Sequence, residues 1–295
     1  MTWFNYNGKY FKDNDAVIGT ASRGLRYGDG LFETIKCING QLIFADEHFA
    51  RLWKGMNILQ FELPRHFTPD KLTEEIMALA KKNGHDRATR VRLTVIRGNG
   101  GLYDPANHFP NYIIETAELA NSNGDPKTLT LNSNGLVLGI YTVVKKSCDI
   151  LSNLKHNNFL PYVMAALYAK KQKWNDAIIL NTAGRVCDSS IANIFFITGG
   201  HVYTPALEEG CVAGVMRKAV IQQLAIGSSQ SAVDSWQLTE KPVTVEDLMQ
   251  ADEVFLTNSI YDIRWVQRIG DKEYGNTLTQ QIYSSLMPMI YSTKT

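Results

Sequence analysis

The sequence has little of what marks several common classes of protein. It contains only four cysteines, at positions 37, 148, 187 and 211, and none of them forms a CxxC pair. This spacing argues against a disulfide framework or a structural zinc site and favours free thiols in a reducing cytoplasm. The six histidines lack HExxH or a comparable ligand spacing, so we expect no metal.

Charge of one sign and long apolar runs are also lacking. The formal net charge is +1, which gives no argument for binding to nucleic acids or anionic membranes, since both require a concentrated positive field. The most apolar run, "GLVLGIYTVV" (135–144), is about half the length of a membrane-spanning helix. The N-terminal stretch has no basic segment followed by an apolar one, so no signal peptide is expected. We therefore predict a globular, cytoplasmic protein.

Two frequent catalytic patterns are missing as well. There is no GxSxG, the strand-to-helix turn that exposes a nucleophilic serine. The glycines of "RGNGG" (97–101) are not followed by the Gly-Lys-Ser ending of a phosphate-binding loop. Hydrolysis by a serine nucleophile and nucleotide binding by such a loop are therefore not supported.

Hydrophobic periodicity predicts a mixture of strands and helices in the first part of the chain. Segments 90–96 and 111–119 have the β-branched composition of strands. Segments 46–60 and 69–84 place apolar residues on one helical face, and Gly84 is a candidate C-terminal cap. The polar stretch "ANSNGDPK" (120–127) is the best linker candidate, so we predict a small N-terminal α/β domain over 1–119.

The larger C-terminal domain is predicted over 128–295. It alternates apolar strands with helices, and Gly199-Gly200 joins two of the strands as a hairpin. Together the two parts predict an α+β (α/β) fold of two domains with a cleft between them. The predicted elements are strands at 136–144, 176–181, 192–198, 201–204 and 252–258, and helices after Lys155, at 214–225 and at 277–290.

Four local features could carry chemistry. They are Lys155 between Asn-rich turns, Asp188 ahead of an apolar strand, a helix that begins at Gly214, and Arg51 in a helix. Each has an ordinary interpretation: a solvated lysine, a turn residue, a helix end that binds water, and a surface arginine. One small molecule needs all four. Pyridoxal phosphate (PLP) requires a lysine for its aldehyde, a carboxylate for its pyridine nitrogen, and an arginine with helix amides for its phosphate.

The order and context of these features resemble one family. The chain is similar to the class IV aminotransferases, fold-type-IV PLP enzymes that include branched-chain and D-amino-acid aminotransferases and 4-amino-4-deoxychorismate lyases. The resemblance implies a two-domain D-amino-acid-aminotransferase-like fold, PLP bound in the interdomain cleft mainly by the larger domain, and a homodimer. It rests on 26–35 "RYGDGLFETI", 47–52 "EHFARL", 154–158 "LKHNN", 184–196 "GRVCDSSIANIFF", 202–217 "VYTPALEEGCVAGVMR" and 251–266 "ADEVFLTNSIYDIRWV".

The resemblance also implies roles for individual residues. Lys155 would be the Schiff-base lysine and general base, and Arg51 would bind the phosphate. The backbone amides of Val215 and Met216 and the hydroxyl of Ser259 would assist Arg51.

Asp188 falls where the family usually has a glutamate facing the pyridine nitrogen. Aspartate keeps the charge but is one methylene shorter. Either the ring or the backbone must then shift to preserve the contact, or a water must bridge it.

Three details favour the lyase branch of the family. "LKHNN" resembles the lyase Lys-His-x-Asn pattern, with His156 and Asn158 in register. Met216 stands where aminotransferases tend to have threonine, and Asn258 lies between Thr257 and Ser259 as in lyases.

Other details concern the substrate. Phe32 stands where the D-amino-acid branch has a carboxylate-binding tyrosine, and the loop "GNGGLYDPANHF" lacks the Arg-x-His element of that branch. Against the lyase branch, no arginine precedes Tyr103 in this loop. Arg97 could meet a substrate carboxylate, although surface pairing is the simpler interpretation. Asp29, between two glycines, is equally well a turn residue.

The leading hypothesis is conversion of 4-amino-4-deoxychorismate to 4-aminobenzoate and pyruvate, a step toward folate. The alternative is an aminotransferase for D-amino acids or branched-chain amino acids with a 2-oxo acid acceptor, in which Lys155 moves a proton in both half-reactions. A third possibility is a catalytically silent relative that only binds PLP.

Overall fold

The computed structural model describes residues 2–85, 87–119, 130–230 and 236–291, with the side chains of 226–230 left out. The chain divides into two compact units. The first comprises Met1–Asp125 together with Leu154–Asn158, and the second comprises Pro126–Asn153 together with Phe159–Thr295. The linker predicted at 120–127 lies outside the described residues. The mixed α and β composition is confirmed.

The first unit is an antiparallel sheet covered by helices. In the described residues it has six strands in the order β2-β1-β6-β5-β3-β4. Its elements are β1 Trp3–Tyr6, β2 Lys9–Lys12, α1 Arg23–Tyr27, β3 Gly30–Ile38, β4 Gln41–Leu42, α2 Ala45–Ile58, α3 Pro69–Asn83, β5 Ala88–Arg97 and β6 Pro110–Glu118.

The helices α2 and α3 confirm the predicted periodicity. Their apolar faces contribute Phe49, Leu52 and Met56 from α2, and Leu72 and Ile76 from α3, to one buried cluster. The Thr68 side chain accepts a hydrogen bond from the Lys71 amide at the start of α3. Gly84 ends this helix with a φ of 70°, as its position predicted. Strands β5 and β6 also confirm the predicted segments 90–96 and 111–119.

Strand β3 was not apparent from the sequence. Its segment "GLFETIKCI" is almost entirely buried on both faces, yet it contains two charged residues, Glu33 and Lys36. Periodicity treats a charge as a sign of solvent. In the folded protein, tertiary ion pairs compensate the charge of Glu33. Glu33 can therefore lie in a buried strand.

The second unit is a mixed sheet. Within the described residues it has nine strands, in the order β12-β11-β10-β13-β14-β7-β8-β9 with β15 beside β14, and β7 runs parallel to both β14 and β8. Its strands are β7 Leu136–Lys146, β8 Asp176–Asn181, β9 Val186–Ser189, β10 Asn193–Thr198, β11 His201–Pro205, β12 Leu238–Lys241, β13 Glu253–Asn258, β14 Asp262–Ile269 and β15 Lys272–Glu273. Its α-helices are α4 Leu160–Lys171, α5 Val215–Gln230, α6 Val245–Gln250 and α7 Thr277–Tyr291.

Most of the elements predicted for this part are confirmed. Strands β10 and β11 form the antiparallel hairpin expected across Gly199-Gly200. Helix α5 begins at Val215, one residue after the predicted start at Gly214. Strand β14 is an addition, because its Arg, Trp and Gln residues interrupt the apolar alternation. None of the helices in the described ranges has both the length and the apolar character that a membrane crossing requires.

The structure differs from the predicted domain 128–295 at Leu154–Asn158, which belongs to the first unit. This segment lies antiparallel beside the N-terminal half of β3, along the edge that the short strand β4 leaves open. The Phe32 amide donates to the Lys155 carbonyl at 2.8 Å, and the Asn157 amide donates to the Gly30 carbonyl at 2.9 Å. Lys155 is therefore fixed by backbone pairing.

Candidate functional site

The side chain of Lys155 lies against an aromatic ring in the first unit. Lys155 is half-buried, and its Nζ is 4.5 Å from the centroid of the Phe32 ring. The guanidinium carbon of Arg92 is 4.0 Å from the same centroid. The face of an aromatic ring attracts a cation, so the Phe32 ring favours both contacts. The solvated, helix-leading lysine is therefore not what the structure contains.

Arg92 is a residue that the sequence interpretation missed. Thr34 on β3 pairs with Arg92 on β5, and Phe32 pairs with Thr94, so Arg92 is the diagonal neighbour of Phe32 on one sheet face. Burial lowers the pKa of the Arg92 guanidinium; Glu115 opposes this shift and Arg90 adds to it. The alternation of "TRVRLTV" could have indicated its face, but not its neighbour across the sheet.

Arg51 is held by a buried carboxylate. Its Nε donates to Glu33 Oε1 at 2.8 Å, and its Nη2 donates to Glu33 Oε2 at 2.5 Å. His48, fully buried on the same helix, places Nδ1 at 2.7 Å from Glu33 Oε2. Its Nε2 is buried and finds no hydrogen-bond partner in the described part of the chain. The predicted phosphate arginine is thus a partly buried guanidinium with a fixed direction.

The charge of Glu33 depends on this arrangement. Burial would raise the pKa of the Glu33 carboxyl, but the charges of Arg51 and His48 and their hydrogen bonds lower it to about 2. The carboxylate is therefore ionised at every physiological pH, and it neutralises part of the positive charge of Arg51.

Arg97, a candidate for the substrate carboxylate, is part of a polar network in the first unit. Its Nε donates to Asp29 Oδ2 at 2.9 Å, its Nη1 to the Gln60 carbonyl at 3.2 Å, and its Nη2 to the Leu59 carbonyl. These contacts give Arg97 an anchoring role, and its predicted contact with substrate remains a prediction. The sequence signal, an arginine at a strand end, does not distinguish the two roles.

Asp29 is more than a turn residue. Its Oδ2 also accepts from Arg23 Nε at 2.8 Å, and Arg23 donates in turn to the carbonyls of Gly101 and Leu102. This cluster anchors the loop that carries Tyr103. The Tyr103 side chain is 89% exposed, so its predicted role in substrate binding remains a prediction.

Two residues next to Lys155 complete this part of the first unit. His156 is half-buried and forms the isolated antiparallel bridge with Leu31. Asn158 is exposed, and its backbone lies against Gly28, which has a φ of 66°. The substrate roles predicted for His156 and Asn158 remain predictions.

In the second unit, Asp188 is the centre of a buried hydrogen-bond network. Its Oδ2 accepts from Lys146 Nζ at 3.2 Å, from the Tyr162 hydroxyl at 2.8 Å and from the Val212 amide at 2.9 Å. Its Oδ1 accepts from Asn193 Nδ2 at 2.9 Å. Asp188 is only 1% exposed. The acid predicted from the sequence is therefore buried and hydrogen-bonded, and Lys146 and Tyr162 were not foreseen.

The start of α5 lies close to this network. Asn193 Nδ2 also donates to the Val212 carbonyl at 2.8 Å, and a Cβ at Gly214 would collide with the Asn193 side chain. The Lys218 amide donates to the Gly214 carbonyl at 3.0 Å. The amides of Val215 and Met216 therefore precede the hydrogen-bond ladder of the helix, as an anion site requires.

A buried hydroxyl, that of Thr257, lies on the same face of the sheet as the Asn193 side chain. Thr257 on β13 pairs with Asn193 on β10, so the two side chains share a face. The Thr257 Oγ1 is buried and has no hydrogen-bond partner among the described residues. This hydroxyl is available to a polar ligand or to a water molecule. The sequence offered no signal for Thr257 beyond its place before Asn258.

Asn258 and Ser259 form the turn between β13 and β14. The Asn258 Oδ1 accepts from the amides of Ile260 and Tyr261 at 3.0 and 2.8 Å, and its Nδ2 donates to the Ile191 carbonyl. These bonds support a turn-forming role for Asn258, and its predicted contact with substrate remains a prediction. Ser259 is partly exposed, and its role at the phosphate remains a prediction.

A lysine on an aromatic ring, an arginine paired to a carboxylate, and a buried acid beside a helix N-terminus are the groups that the resemblance requires. Residues 30–269 match the family described as amino-transferase class IV. The chain belongs to this family. The match spans both units and includes Arg51, Lys155 and Asp188.

Relatives with different activities share this family with the chain. The putative branched-chain-amino-acid aminotransferase of Methanocaldococcus jannaschii is 27% identical over 95% of this chain and 92% of the relative. The aminodeoxychorismate lyase of Bacillus subtilis is 29% identical over 92% and 87%, respectively. The D-alanine aminotransferase of Staphylococcus haemolyticus is 26% identical over 94% and 92%. Identity alone therefore does not separate lyase from aminotransferase.

Solved structures show the same fold. The branched-chain aminotransferase from Thermoproteus uzoniensis with norvaline superposes with a TM-score of 0.84, at 22% identity over 99% of this chain and 96% of that one. The branched-chain amino acid aminotransferase from Escherichia coli gives 0.82, at 20% identity over 99% and 95%. The fold expected from the resemblance, that of the class IV aminotransferases, is therefore confirmed.

Proposed function

We propose that the chain is a PLP-dependent 4-amino-4-deoxychorismate lyase that releases 4-aminobenzoate and pyruvate, with Lys155 as the reactive amine. The observation that carries the proposal is the position of Lys155 Nζ, 4.5 Å from the Phe32 ring that Arg92 also contacts. Lys155 is also half-buried, and an amine that attacks a carbonyl must be withdrawn from full hydration because a hydrated ammonium is not nucleophilic.

The residues present fit PLP. The buried Thr257 hydroxyl and the first amides of α5 are donors without a partner in the helix ladder or among the described side chains, as a phosphate requires. Arg51 supplies a guanidinium with a fixed direction, and Asp188 supplies a buried carboxylate. When bound, PLP supplies an aldehyde that condenses with amines and a ring that withdraws electrons from the bond to be broken.

The residues would then divide the work. Lys155 would hold PLP through its Nζ, and its free amine would accept the proton from the ring carbon of the substrate that carries the amino group. Arg51 would bind the phosphate with the amides of Val215 and Met216 and the hydroxyl of Ser259. Asp188 would accept a hydrogen bond from the pyridine nitrogen.

The substrate carries carboxylates, and Arg92 suits that chemistry. Its guanidinium lies on the Phe32 ring that Lys155 also contacts. A substrate whose carboxylate binds Arg92 would therefore have its amine close to Lys155. The features His156, Asn158 and Met216 favour the lyase over the aminotransferase, and the B. subtilis relative shows that lyases occur among the similar proteins.

The cofactor is tested by absorption of the purified protein with PLP. We expect a near-visible band that borohydride bleaches and that Lys155→Ala abolishes. The reaction is tested with 4-amino-4-deoxychorismate alone, without any 2-oxo acid. Formation of many molecules of 4-aminobenzoate per subunit would support the lyase proposal. Absence of this product would contradict the proposal.

The second candidate is an aminotransferase, favoured by the M. jannaschii and S. haemolyticus relatives. It requires a 2-oxo acid to complete each cycle. Product formation from a D-amino acid or a branched-chain amino acid only when 2-oxoglutarate or pyruvate is present would support this candidate. If the protein binds PLP but turns over no amine donor, the remaining hypothesis is a catalytically silent PLP-binding protein.

A homodimer is the proposed assembly. Helix α4 exposes Leu160, Val163, Met164 and Leu167, which recur at the spacing of one helical face. These four residues, the α4 apolar face, include no charged side chain, so two copies can pack on each other without like-charge repulsion. A second copy of the chain is the occupant that the proposed homodimer supplies.

A further inference from the structure

Lys146, the last residue of β7, is a second lysine whose amine is buried. It is 6% exposed, and its Nζ donates to Asp188 Oδ2 at 3.2 Å, to the Ser152 carbonyl at 3.3 Å and to the Tyr162 hydroxyl. An ammonium has three N–H donors. The three acceptors use all three N–H donors of Lys146. Lys146 therefore has no donor left for a ligand, and its effect is on the residues to which it is hydrogen-bonded.

Tyr162 on α4 links Lys146 to Asp188. Its hydroxyl accepts from Lys146 and donates its own hydrogen to Asp188 Oδ2 at 2.8 Å. Its ring stacks on Phe159 with 4.1 Å between centroids. Burial, followed by the charge of Asp188, raises the pKa of the Tyr162 hydroxyl well above its usual value. The hydroxyl therefore keeps its proton and stays a donor.

The two oxygens of Asp188 are used unequally. Oδ2 has donors from Lys146, Tyr162 and the Val212 amide, whereas Oδ1 has one donor, from Asn193. A carboxylate oxygen offers about two acceptor positions. Oδ2 is therefore saturated, and Oδ1 retains room for one more hydrogen bond.

Lys146 also compensates the charge of Asp188. Asp188 and Lys146 are both buried and form an ion pair. A buried carboxylate without a cation is strongly unfavourable and tends to take up a proton. The Lys146 ammonium compensates this negative charge without occupying Oδ1.

We infer that Lys146 is the positioning residue of Asp188: with Tyr162 it holds the carboxylate by Oδ2 and presents Oδ1 to the ring nitrogen of the ligand. The inference rests on the proposed function, because the ligand concerned is PLP. It also accounts for aspartate at a position where the resemblance expects glutamate. The network on β7 and α4, and not the length of the side chain, sets the direction of the acid.

The test compares Lys146→Met with Lys145→Met in the full-length protein. Methionine keeps the length of the lysine and removes its charge. Lys145 is the adjacent residue on β7 and makes no ion pair within the described ranges. The readouts are the dissociation constant of PLP, measured by equilibrium dialysis, and the 15N NMR signal of PLP labelled at the ring nitrogen. We expect Lys146→Met to weaken binding about tenfold or more and to shift the signal, since a bond to a charged group is lost.

The outcomes separate the inference from the proposed function. If Lys146→Met binds PLP as the unaltered protein does and leaves the 15N signal in place, the inference is wrong, although the PLP assignment stands. If the unaltered protein shows no borohydride-sensitive band, the proposed function itself fails. The Lys145→Met control should change neither readout.

Further variants address folding. If Lys146→Met does not fold, Tyr162→Phe tests the inference in its place. This variant removes one donor to Asp188 Oδ2 and keeps the ring stack on Phe159. We expect it to shift the 15N signal in the same direction by a smaller amount, and an unchanged signal overturns the inference. The double variant Lys146→Met/Asp188→Asn removes both buried charges. It should regain the unfolding temperature lost in Lys146→Met but not the affinity for PLP.

Discussion

Arg51 and Glu33 form a two-point ion pair, with Nε donating to Oε1 at 2.8 Å and Nη2 donating to Oε2 at 2.5 Å. Glu33 is buried on β3, and Arg51 is on α2. The parallel bonds prevent the guanidinium from rotating. The cation proposed for the PLP phosphate is thereby held ready before the ligand binds.

Replacing this carboxylate should affect both folding and cofactor binding. Glu33→Gln leaves Arg51 without its counter-ion, so we expect the free energy of unfolding to fall by about 3 kcal/mol. PLP should bind more weakly because Arg51 loses its fixed direction. Chemical denaturation and equilibrium dialysis measure the two effects. Glu74→Gln, at an exposed position on α3, is the matched control. A stability equal to that of the control would contradict the prediction.

The same group predicts a dependence of stability on acidity. The pKa of Glu33 is about 2 in the folded protein, against an ordinary value of 4.5. A lowered carboxyl pKa stabilises the fold above the unfolded value, and this contribution is lost as the pH falls through the folded value. The free energy of unfolding should therefore decrease between about pH 4.5 and pH 2. Because other carboxylates also titrate there, the measurement is the difference between the unaltered protein and Glu33→Gln, which should shrink toward zero across this window.

Arg92 is expected to bind an anionic group of the substrate. Arg92→Met removes the guanidinium and keeps an apolar side chain beside Phe32, so KM should rise roughly 10–100-fold, in line with the loss of a charge-assisted bond. Steady-state kinetics measure the effect. Arg90→Met is the control, because Arg90 lies two residues away on β5 and is exposed. Equal effects of the two substitutions would argue against a contact between Arg92 and substrate.

The α4 apolar face should mediate the homodimer. Leu160→Glu with Leu167→Glu would place two like charges on each copy, so the assembly should dissociate into monomers at micromolar concentration. Light scattering after gel filtration measures the mass directly. Met289→Glu, an exposed apolar position on α7, serves as control. A dimer that survives the α4 substitutions would show that another surface joins the copies.

Local sequence signals predicted most of the secondary structure. The helical faces of α2 and α3 and the alternation of β5 and β6 depend on periods that a short window contains. Strand β3 and strand β14 could not be predicted in this way. In β3 the buried Glu33 is compensated by Arg51 and His48 from a helix that follows it in the chain. A window centred on β3 does not contain those partners.

The sequence by itself determined the family, the order of the elements, and the candidates Lys155, Arg51 and Asp188. These depend on motifs and periods that are read along the chain. Only the tertiary structure decided which groups surround each candidate. It placed Arg92 beside the Phe32 ring, Glu33 on Arg51, and Lys146 with Tyr162 on Asp188, and it engaged Arg97 and Asn258 elsewhere. The physical reason is that charge compensation and hydrogen bonding act over a few ångströms in space, between residues that lie far apart in the sequence.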